Sequence, residues 1–525
     1  MLPVAQKPKL RRFHQARWDE PIIFELSIPG ERGVLVPEVE DNLLKSVDAD
    51  LPKELARANS PQLPEIGQMK VLKHYLRLSQ ENLGADLNVD IGQGTCTMKY
   101  SPKVNDQIIR RPELYDLHPL QDPEKAQGAL EIIWRTQGLL AEISGLDAAS
   151  LQTSSGSGAI WSNVATIRAY FESIGEERDE IVTTIFSHPS NAATAKAAGF
   201  KVITLFPDEN GYPNLEDYRK VVSHRTAALM ITNPEDTGIF NPHIKEIVDL
   251  FHQFGALASY DQANANGILG ITRAKEAGFD LSHFNLHKTF STPHACGGPG
   301  AGASCVTAKL AKFLPKPIVI KTGDRYELDD DRPDSIGKVA PFYGVLPNIV
   351  RAYSWIMSLG AEGLRDVAEV AVINNNYLLK NMVAIEGASA PYAPGRPRVE
   401  QVRYSWDELF KSTGITTEEI GLRALDFGLH YWTSHHPFIV PQPATLEPTE
   451  SYSREELDEY LDVLRQIAAE AVSNPDIIRS APHNQTVHQT AHADFDDPAR
   501  WAITWRAYLR KYPEVKERMA GIRGH

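Results

Sequence analysis

Residues 256–290 read ALASYDQANANGILGITRAKEAGFDLSHFNLHKTF, and their pattern is the most informative part of the sequence for the fold. It holds two short apolar runs, at residues 256–260 and 283–286, with a longer segment between them. A polar residue follows each run closely, Asp261 after the first and Lys288 after the second. In an open sheet of parallel strands, ligands bind beyond the carboxyl ends of the strands. The stretch therefore predicts two strands that present Asp261 and Lys288 to a binding site.

The same rhythm continues on both sides of this stretch. Short apolar runs alternate with helix-like segments at residues 181–186, 202–206, 227–232, 256–260, 283–286 and 303–306. This alternation is typical of a mostly parallel sheet covered by helices, so we expect an α/β fold. Upstream, residues 127–144 predict an amphipathic helix, because apolar side chains recur there at helical spacing: Leu130, Ile133, Trp134, Leu140 and Ile143.

We expect the chain to have four regions. These are an N-terminal arm at residues 1–120, a large domain at 121–340, a smaller α+β domain at 341–480 and a polar tail at 481–525. The arm is rich in proline and turn signals, which predicts an extended segment. It shows few signs of a core of its own, so we expect it to lie across a neighbouring protein surface. The small domain begins with two predicted helices, at residues 344–359 and 363–382.

Composition limits the class of protein. A chain of 525 residues is longer than a domain with a single hydrophobic core usually is, so we expect more than one domain. The formal net charge of −14 argues against a general binder of nucleic acid or of an anionic membrane. No apolar run approaches the roughly 18 residues of a membrane-spanning helix, and three scattered cysteines favour neither a disulfide framework nor a zinc site. We expect a cytoplasmic protein without a bound metal.

A loop ahead of a helix is the first candidate for ligand binding. Residues 154–158 read SSGSG and precede a helix-like run at residues 160–171. The glycine at 156 allows close backbone approach, the free amides of a helix N-terminus bind a phosphate, and Ser155 and Ser157 add hydroxyl donors. An ordinary helix cap has the same pattern, so the loop alone does not establish a phosphate site.

Three further residues complete the set that pyridoxal phosphate needs. The Asp261 carboxylate could pair with the protonated ring nitrogen, Lys288 could form an imine, and His188 after the run at 181–186 could stack on the ring. Taken singly, these are also a turn residue, a solvated lysine and a structural histidine. Together, the loop, His188, Asp261 and Lys288 follow the chain order expected of the large aminotransferase-like class of cofactor enzymes.

A family resemblance rests on several motifs. Residues 284–294, FNLHKTFSTPH, followed by a Gly/Pro run, resemble the cofactor-lysine motif of the glycine decarboxylase (P-protein) family of the glycine cleavage system. Other motifs similar to that family are TCTMKY at 95–100, LHPLQ at 117–121, DRP at 331–333, SIG at 335–337, EPTE at 447–450 and APHN at 481–484. The similarity runs from about residue 22 to residue 487. The length resembles that of the cofactor-bearing second subunit found where the P-protein is split in two.

The resemblance implies a fold, a cofactor and partners. It implies the aminotransferase-like fold type I with a smaller C-terminal domain, and pyridoxal 5'-phosphate attached to Lys288 as a Schiff base. Asp261 would face the ring nitrogen, His188 the ring, and the loop Ser155, Gly156, Ser157 with Thr289 the phosphate. Glycine would lose carbon dioxide and pass its aminomethyl group to the lipoylated H-protein. The implied assembly is a hetero-oligomer with the first P-protein subunit.

Several residues depart from the family pattern. Gly158 and Ile160 stand where the family has His or Gln and then Glu, and Gln262 stands in place of glycine after the aspartate. These departures leave open a member that acts on another small amino acid, or that decarboxylates without a lipoyl acceptor. A non-catalytic scaffold fits less well, because it would need neither Lys288 nor Asp261.

Three more positions have open interpretations. Ala295-Cys296 replaces two glycines of the family, and residues 188–192 read HPSNA in place of HGTNP. Cys296 is either a small space-filler or a redox group near the cofactor. Cys96 occupies a cysteine position of its family motif and is the better candidate for a site neighbour. Lys99 could supply positive charge to a carboxylate or phosphate, or could be solvated.

Overall fold

The structure is a computed structural model. It describes residues 10, 13–50, 52–59, 61–82, 91–92, 100–118, 121–292, 300–431, 439–486 and 504–523. Within these ranges no helix is long and apolar enough to cross a membrane.

The described residues form helices and strands that alternate through most of the chain. The helices are α1 (Asp41–Asp50), α2 (Gln68–Gln80), α3 (Lys103–Ile109), α4 (Pro112–Tyr115), α5 (Gln127–Ser144), α6 (Gly156–Ser173), α7 (Pro189–Ala197), α8 (Leu215–Val221), α9 (Ile244–Gln253), α10 (Leu346–Met382), α11 (Asp407–Thr413), α12 (Thr417–Leu425), α13 (Arg454–Ser473), α14 (Pro475–Arg479), α15 (Trp505–Lys511) and α16 (Pro513–Arg523). The strands are β1 (Ala148–Ser150), β2 (Glu180–Thr184), β3 (Lys201–Leu205), β4 (Thr226–Thr232), β5 (Leu257–Gln262), β6 (Leu281–Asn285), β7 (Gly302–Val306), β8 (Ile318–Thr322), β9 (Arg325–Asp329), β10 (Val402–Ser405) and β11 (Pro443–Leu446).

A seven-stranded sheet organises the described part of residues 121–340. Its strand order is β1-β7-β6-β5-β4-β2-β3. The pairs from β3 through β2, β4 and β5 to β6 are parallel, and β7 pairs antiparallel with both β6 and β1. Each of the six predicted apolar runs overlaps one of the strands β2 to β7, and the helix predicted at residues 127–144 is α5. The predicted α/β fold with a mostly parallel sheet is confirmed.

Alternation along β4 explains why the sheet is covered on both faces. Leu229 and Ile231 belong to one hydrophobic core, together with residues of α5 and α9. Ala228 and Met230 belong to another core, which includes residues of α6. Because successive side chains of a strand point to opposite faces of the sheet, the one apolar run of β4 contributes side chains to both cores. A strand buried on both faces therefore appears in the sequence as a continuous apolar run.

A separate hydrophobic core lies after the sheet. It combines Leu378 and Met382 from the end of α10 with Tyr404 of β10 and Leu446 of β11. Helix α10 reaches both this core and the sheet core, which contains Ile349 and Trp355 among its residues. Gly360, with φ 64° and ψ −174°, interrupts the helical backbone of α10. The interruption lies between the two helices predicted at residues 344–359 and 363–382.

Contacts divide the chain into two compact units. One comprises Met1–Arg11 and Ala85–Arg479, and the other Arg12–Gly84 and Ser480–His525. In the second unit, the Gln15 amide donates to the Asn484 carbonyl at 3.0 Å.

The region predicted as an extended arm contains the helices α1, α2, α3 and α4. His74 Nδ1 lies 2.9 Å from one oxygen of Glu20, and Arg77 donates to the other oxygen at 3.0 Å. These contacts hold α2 against a distant part of the chain, which a local pattern of prolines and turns does not reveal.

Candidate active site

A cavity of about 370 Å³ lies at the carboxyl ends of β5 and β6, in the unit that holds the sheet. It is lined by Ser154, Ser155, Gly156, Ser157, Ile160, His188, Ser190, Asp261, Ala263, His283, Asn285, His287, Lys288 and Gly300. The fold thus brings together the predicted loop, histidine, aspartate and lysine from four separate parts of the chain.

The loop at residues 154–158 leads into helix α6. Ser155 is the N-cap, and its Oγ accepts the amide hydrogen of Gly158 at 2.9 Å. Gly156 packs directly against Asn285, since a Cβ atom built on Gly156 would lie 2.2 Å from Asn285 Oδ1. The positive end of the α6 dipole and the amides of its first turn favour an anion at this position.

Asp261 is held by contacts from three directions. Its Oδ2 accepts a hydrogen bond of 2.8 Å from Nδ2 of Asn191, and its Oδ1 accepts the Ala263 amide hydrogen at 3.0 Å. The Nε2 atom of His283, which is in register with Asp261 on the neighbouring strand, lies 3.2 Å from Oδ1. Asp261 is only 3% exposed.

Opposing effects set the charge of Asp261. Burial raises the pKa of this carboxyl, but the protonated forms of His283 and His188, the Ala263 amide and the Asn191 side chain outweigh burial and hold the pKa below its ordinary value. Burial lowers the pKa of His283. At neutral pH the site therefore contains a carboxylate beside an uncharged imidazole, with the amide donors of Ala263 and Asn191 in place.

His188 begins helix α7 at the cavity. It is the N-cap residue, and its Nδ1 accepts the amide hydrogen of Ser190 at 3.2 Å. The ring is exposed and lines the same cavity as Asp261 and Lys288. An exposed aromatic ring at the edge of a cavity is suited to stacking on a flat ligand.

Lys288 lies just beyond strand β6. It is half-buried, and its backbone amide donates to the Asn285 carbonyl at 3.1 Å. The buried carboxyl of Glu400 interacts with Lys288 electrostatically. Burial, with a further contribution from Glu447, raises the pKa of Glu400 well above its ordinary value, although Lys288 opposes this shift. Burial therefore favours the uncharged form of the Glu400 carboxyl beside the lysine.

Two of the singled-out residues lie away from the cavity lining. Thr289 is fully buried, and its Oγ1 accepts the amide hydrogen of Ala265 at 2.8 Å, so its contact with a phosphate stays a prediction. Gln262 accepts a hydrogen bond of 2.6 Å from Ser282 Oγ. Because strand side chains alternate, Gln262 points to the face of β5 opposite Asp261. The substitution at 262 therefore leaves the cavity wall unchanged.

The other departures have mixed positions. Ile160 lines the cavity, whereas Gly158 contributes its amide to the cap of Ser155. Cys96, Lys99 and Cys296 lie outside the described residues.

The sequence interpretation missed three residues of the site. His283 and Asn285 line the cavity, and Asn191 holds Asp261 from helix α7. Strand periodicity could have found the first two, because residues 283 and 285 share a face of β6. No local signal marks Asn191, since its contact with Asp261 joins residues 70 positions apart.

The fold and the cavity define the class of protein. A mostly parallel sheet with a buried carboxylate after one strand, a lysine after the next and a helix N-terminus for a phosphate fits pyridoxal phosphate. The Nε2 atom of His283 supports this fit. His283 lines the cavity, and this buried nitrogen has no hydrogen-bond partner among the described residues. The protein is an enzyme of the aminotransferase-like, fold type I class, and its cofactor is pyridoxal phosphate.

Solved structures agree with this class. A crystal structure of glycine decarboxylase (P-protein) of the glycine cleavage system, in inhibitor-bound form, matches with a TM-score of 0.70 and 22% identity, over 83% of this chain and 100% of that chain. A NifS-like protein matches with a TM-score of 0.55 and 16% identity, over 73% of this chain and 99% of its own.

Sequence comparisons identify the family. The profile of the glycine cleavage system P-protein matches residues 39–329, and that of the glycine dehydrogenase C-terminal domain matches residues 367–492. Relatives named probable glycine dehydrogenase (decarboxylating) subunit 2 are similar over almost their whole length. The one from Pyrococcus horikoshii is 43% identical over 96% of this chain and 99% of its own, and the one from Halalkalibacterium halodurans is 41% identical over 89% and 95%. The chain belongs to the glycine cleavage system P-protein family.

Proposed function

We propose that this chain is the cofactor-bearing subunit of a glycine dehydrogenase (decarboxylating) and releases carbon dioxide from glycine. The observation that carries the proposal is a full-length relationship: the Thermococcus kodakarensis relative named as subunit 2 of that enzyme is 44% identical over 96% of this chain and 99% of its own. The cavity supports it, because it holds a lysine, a buried carboxylate and a helix N-terminus at one place.

Each predicted site residue has a role in this proposal. The Lys288 amine attaches the cofactor covalently, and the Asp261 carboxylate keeps the ring nitrogen protonated. His188 supports one face of the ring, and the loop at residues 155–157 with Thr289 binds the phosphate. When bound, the cofactor supplies an electron sink for the carbanion equivalent that decarboxylation creates. The pKa of the Asp261 carboxyl lies below its ordinary value, which favours the negatively charged form that this role needs.

The overall reaction balances with a disulfide as electron acceptor. The bond between the α-carbon and the carboxyl group of glycine breaks, and carbon dioxide leaves. The electron pair that remains on the α-carbon forms a bond to one sulfur of a lipoyl disulfide, so the disulfide is reduced. The second sulfur leaves as a thiolate and takes up one proton. We propose the lipoylated H-protein as the carrier of this disulfide, and the cytoplasm as the compartment.

A second subunit is part of the proposal. The relatives are named subunit 2, which implies a first P-protein subunit in a hetero-oligomer. Val34, Leu35 and Val36 are 72%, 72% and 82% exposed. Consecutive exposed apolar residues are costly unless a protein surface covers them. We propose that this segment contacts the first subunit.

Isotope exchange tests the proposal. The chain alone, the chain with the first subunit, and the pair with lipoylated H-protein are each incubated with labelled bicarbonate and glycine. We expect weak or no exchange by the chain alone and exchange in the complete mixture. Absence of exchange in the complete mixture, together with rapid turnover of another small amino acid, would assign the chain to the alternative substrate class. That outcome is included because Ile160, which departs from the family pattern, lines the cavity.

A variant tests the partner surface separately. Replacing Val34, Leu35 and Val36 by serine removes the apolar side chains without touching the cavity. We expect weaker association with the first subunit in sedimentation velocity and an unchanged cofactor spectrum. Ile271→Ser, at another exposed apolar position, is the control. Equal association of both variants with the first subunit would exclude the 34–36 segment as the contact.

A further inference from the structure

His283 is a buried histidine to which the proposed reaction assigns no role. It lies on strand β6, is 1% exposed and lines the cavity together with Asp261 and Lys288. Its strand pairs in parallel with β5, and the register sets His283 opposite Asp261. The two side chains therefore share one face of the sheet at the point where the strands end.

The two oxygens of the Asp261 carboxylate have different neighbours, and the His283 imidazole lies beside one of them. Asn191 donates to Oδ2 and the Ala263 amide donates to Oδ1. The Nε2 atom of His283 is 3.2 Å from Oδ1, yet among the described residues Nε2 has no hydrogen-bond partner. A buried polar nitrogen without a partner is unfavourable. A hydrogen bond from Nε2 to the Oδ1 atom 3.2 Å away would provide that partner.

The charge state of His283 decides what such a bond does. The charged groups that act on His283 are the Asp261 carboxylate on β5 and the Lys288 amine beyond β6. Burial lowers the pKa of the imidazole, Asp261 raises it and Lys288 lowers it, and the net result is a pKa below the ordinary value. An uncharged N–H donor orients a carboxylate without cancelling its charge. A lysine or a cationic imidazole at this position would compete with the ring nitrogen of the cofactor for Asp261.

We propose that His283, in its uncharged form with the proton on Nε2, is a positioning residue that orients the Asp261 carboxylate toward the cofactor ring. This inference rests on the proposed role of Asp261 in holding the ring nitrogen. It does not depend on which amino acid is the substrate. His283 acts through Asp261 and is not assigned a contact with substrate.

Two variants at position 283 separate positioning from packing. His283→Gln keeps an N–H donor at a similar distance from the backbone and cannot become charged. His283→Leu keeps an apolar volume and removes the donor. Asn191→Leu removes the hydrogen bond to Oδ2 and serves as a positive control. Ser282→Ala, a neighbour on the opposite face of β6 that bonds Gln262, controls for general damage to the strand.

The measurements use the cofactor-free protein and pyridoxal phosphate, without glycine. We expect about tenfold weaker cofactor binding for His283→Leu, as for the loss of one hydrogen bond to a charged group. The pH at which the absorbance of the bound cofactor changes should move by about one unit in the same variant. His283→Gln and Ser282→Ala should both remain within about threefold of the parent in affinity. Equal behaviour of the Gln and Leu variants would overturn the proposal.

A measurement on the parent protein covers the case in which His283→Leu does not fold. Nitrogen-15 spectra of the histidine side chains, assigned by their loss in His283→Gln, report the tautomer and charge of His283. An uncharged ring with its proton on Nε2 in the cofactor-bound protein supports the inference. A cationic ring, or a proton on Nδ1, overturns it.

Failure of the positioning role and failure of the proposed function give different experimental results. Normal cofactor binding and a clear difference between the His283 variants, without glycine exchange in the complete mixture, would overturn the proposed substrate and leave the positioning role standing. Normal glycine exchange with no difference between the variants would overturn the positioning role alone.

Discussion

Asn191 Nδ2 donates a hydrogen bond of 2.8 Å to Asp261 Oδ2, and this contact joins helix α7 to strand β5. His188 caps the same helix three residues earlier. The position of the histidine ring and the position of the carboxylate are therefore coupled through the first turn of α7. The first turn of α7 thus positions both the His188 ring, on which a flat ligand could stack, and the Asp261 carboxylate.

Lys288→Ala should abolish covalent attachment of the cofactor and all turnover, because the variant lacks the amine that lines the cavity. Borohydride reduction of the parent protein, followed by peptide mapping, should find the cofactor on Lys288. The exposed Lys275, which pairs with Asp147, offers a control variant, Lys275→Ala, that should retain full attachment. Recovery of the cofactor on a different lysine of the parent would contradict the site assignment.

Asp261→Asn should lower the reaction rate by several orders of magnitude with little loss of fold, because an amide cannot keep the ring nitrogen protonated. Single-turnover kinetics and circular dichroism measure the two effects. Asp280→Asn is a matched control, since Asp280 is also buried, directly before β6, but contacts His252 and Lys309 outside the cavity. That variant should lose stability and keep its chemistry. A nearly unchanged rate for Asp261→Asn would show that Asp261 only terminates a strand.

Gly156→Ala should weaken cofactor binding, because the added Cβ would lie 2.2 Å from Asn285 Oδ1 and would displace the start of α6 from β6. The dissociation constant of pyridoxal phosphate measures the effect. The double variant Gly156→Ala, Asn285→Ala should recover part of the loss, since it removes the clashing atoms. Gly138→Ala on α5, where nothing lies within 4 Å of the new Cβ, should instead stabilise the fold by about 1 kcal/mol. Full cofactor affinity in Gly156→Ala would mean that the loop adapts freely.

Glu235 should make the protein less stable as pH rises. Burial raises the pKa of this carboxyl to about 8 in the folded protein, while the Thr184 hydroxyl opposes the shift and Asp236 adds to it. The folded protein thus keeps a proton that the unfolded chain loses above its ordinary pKa of 4.5. Stability should fall between about pH 4.5 and 8 and then level off. The full change should be roughly 5 kcal/mol in the free energy of unfolding, at about 1.4 kcal/mol for each unit of pKa difference.

Glu235→Gln tests that expectation, because its side chain resembles the protonated acid at every pH. Urea unfolding at pH 5 and pH 8 should show nearly the parent's stability at the lower pH and greater stability at the higher pH. Glu216→Gln, at an exposed position on α8, should follow the parent at both values. The same dependence on pH in Glu235→Gln and the parent would mean that Glu235 is ionised in the folded protein.

The candidate site was open to sequence reasoning where a signal is local. The apolar runs predicted β2 to β7, and Asp261 and Lys288 were found because they follow strands directly. Asn191 and His283 were missed, since their importance comes from contact with Asp261 across 70 and 22 positions of the chain. Gln262 shows the opposite case: its place beside Asp261 in sequence suggested the site, but strand alternation points it to the other face.

Apolar periodicity and short motifs act over a few residues at a time. They were therefore enough to predict the strands of the sheet, the helix α5, the chain order of the candidate cofactor-binding residues and the family. The polar groups around the Asp261 carboxylate, and the raised pKa values of the buried carboxyls Glu400 and Glu235, follow from the tertiary structure alone. Those properties depend on desolvation and on distances between side chains from different strands and helices. Such distances arise only when the strands are paired in register and the helices are packed on the sheet.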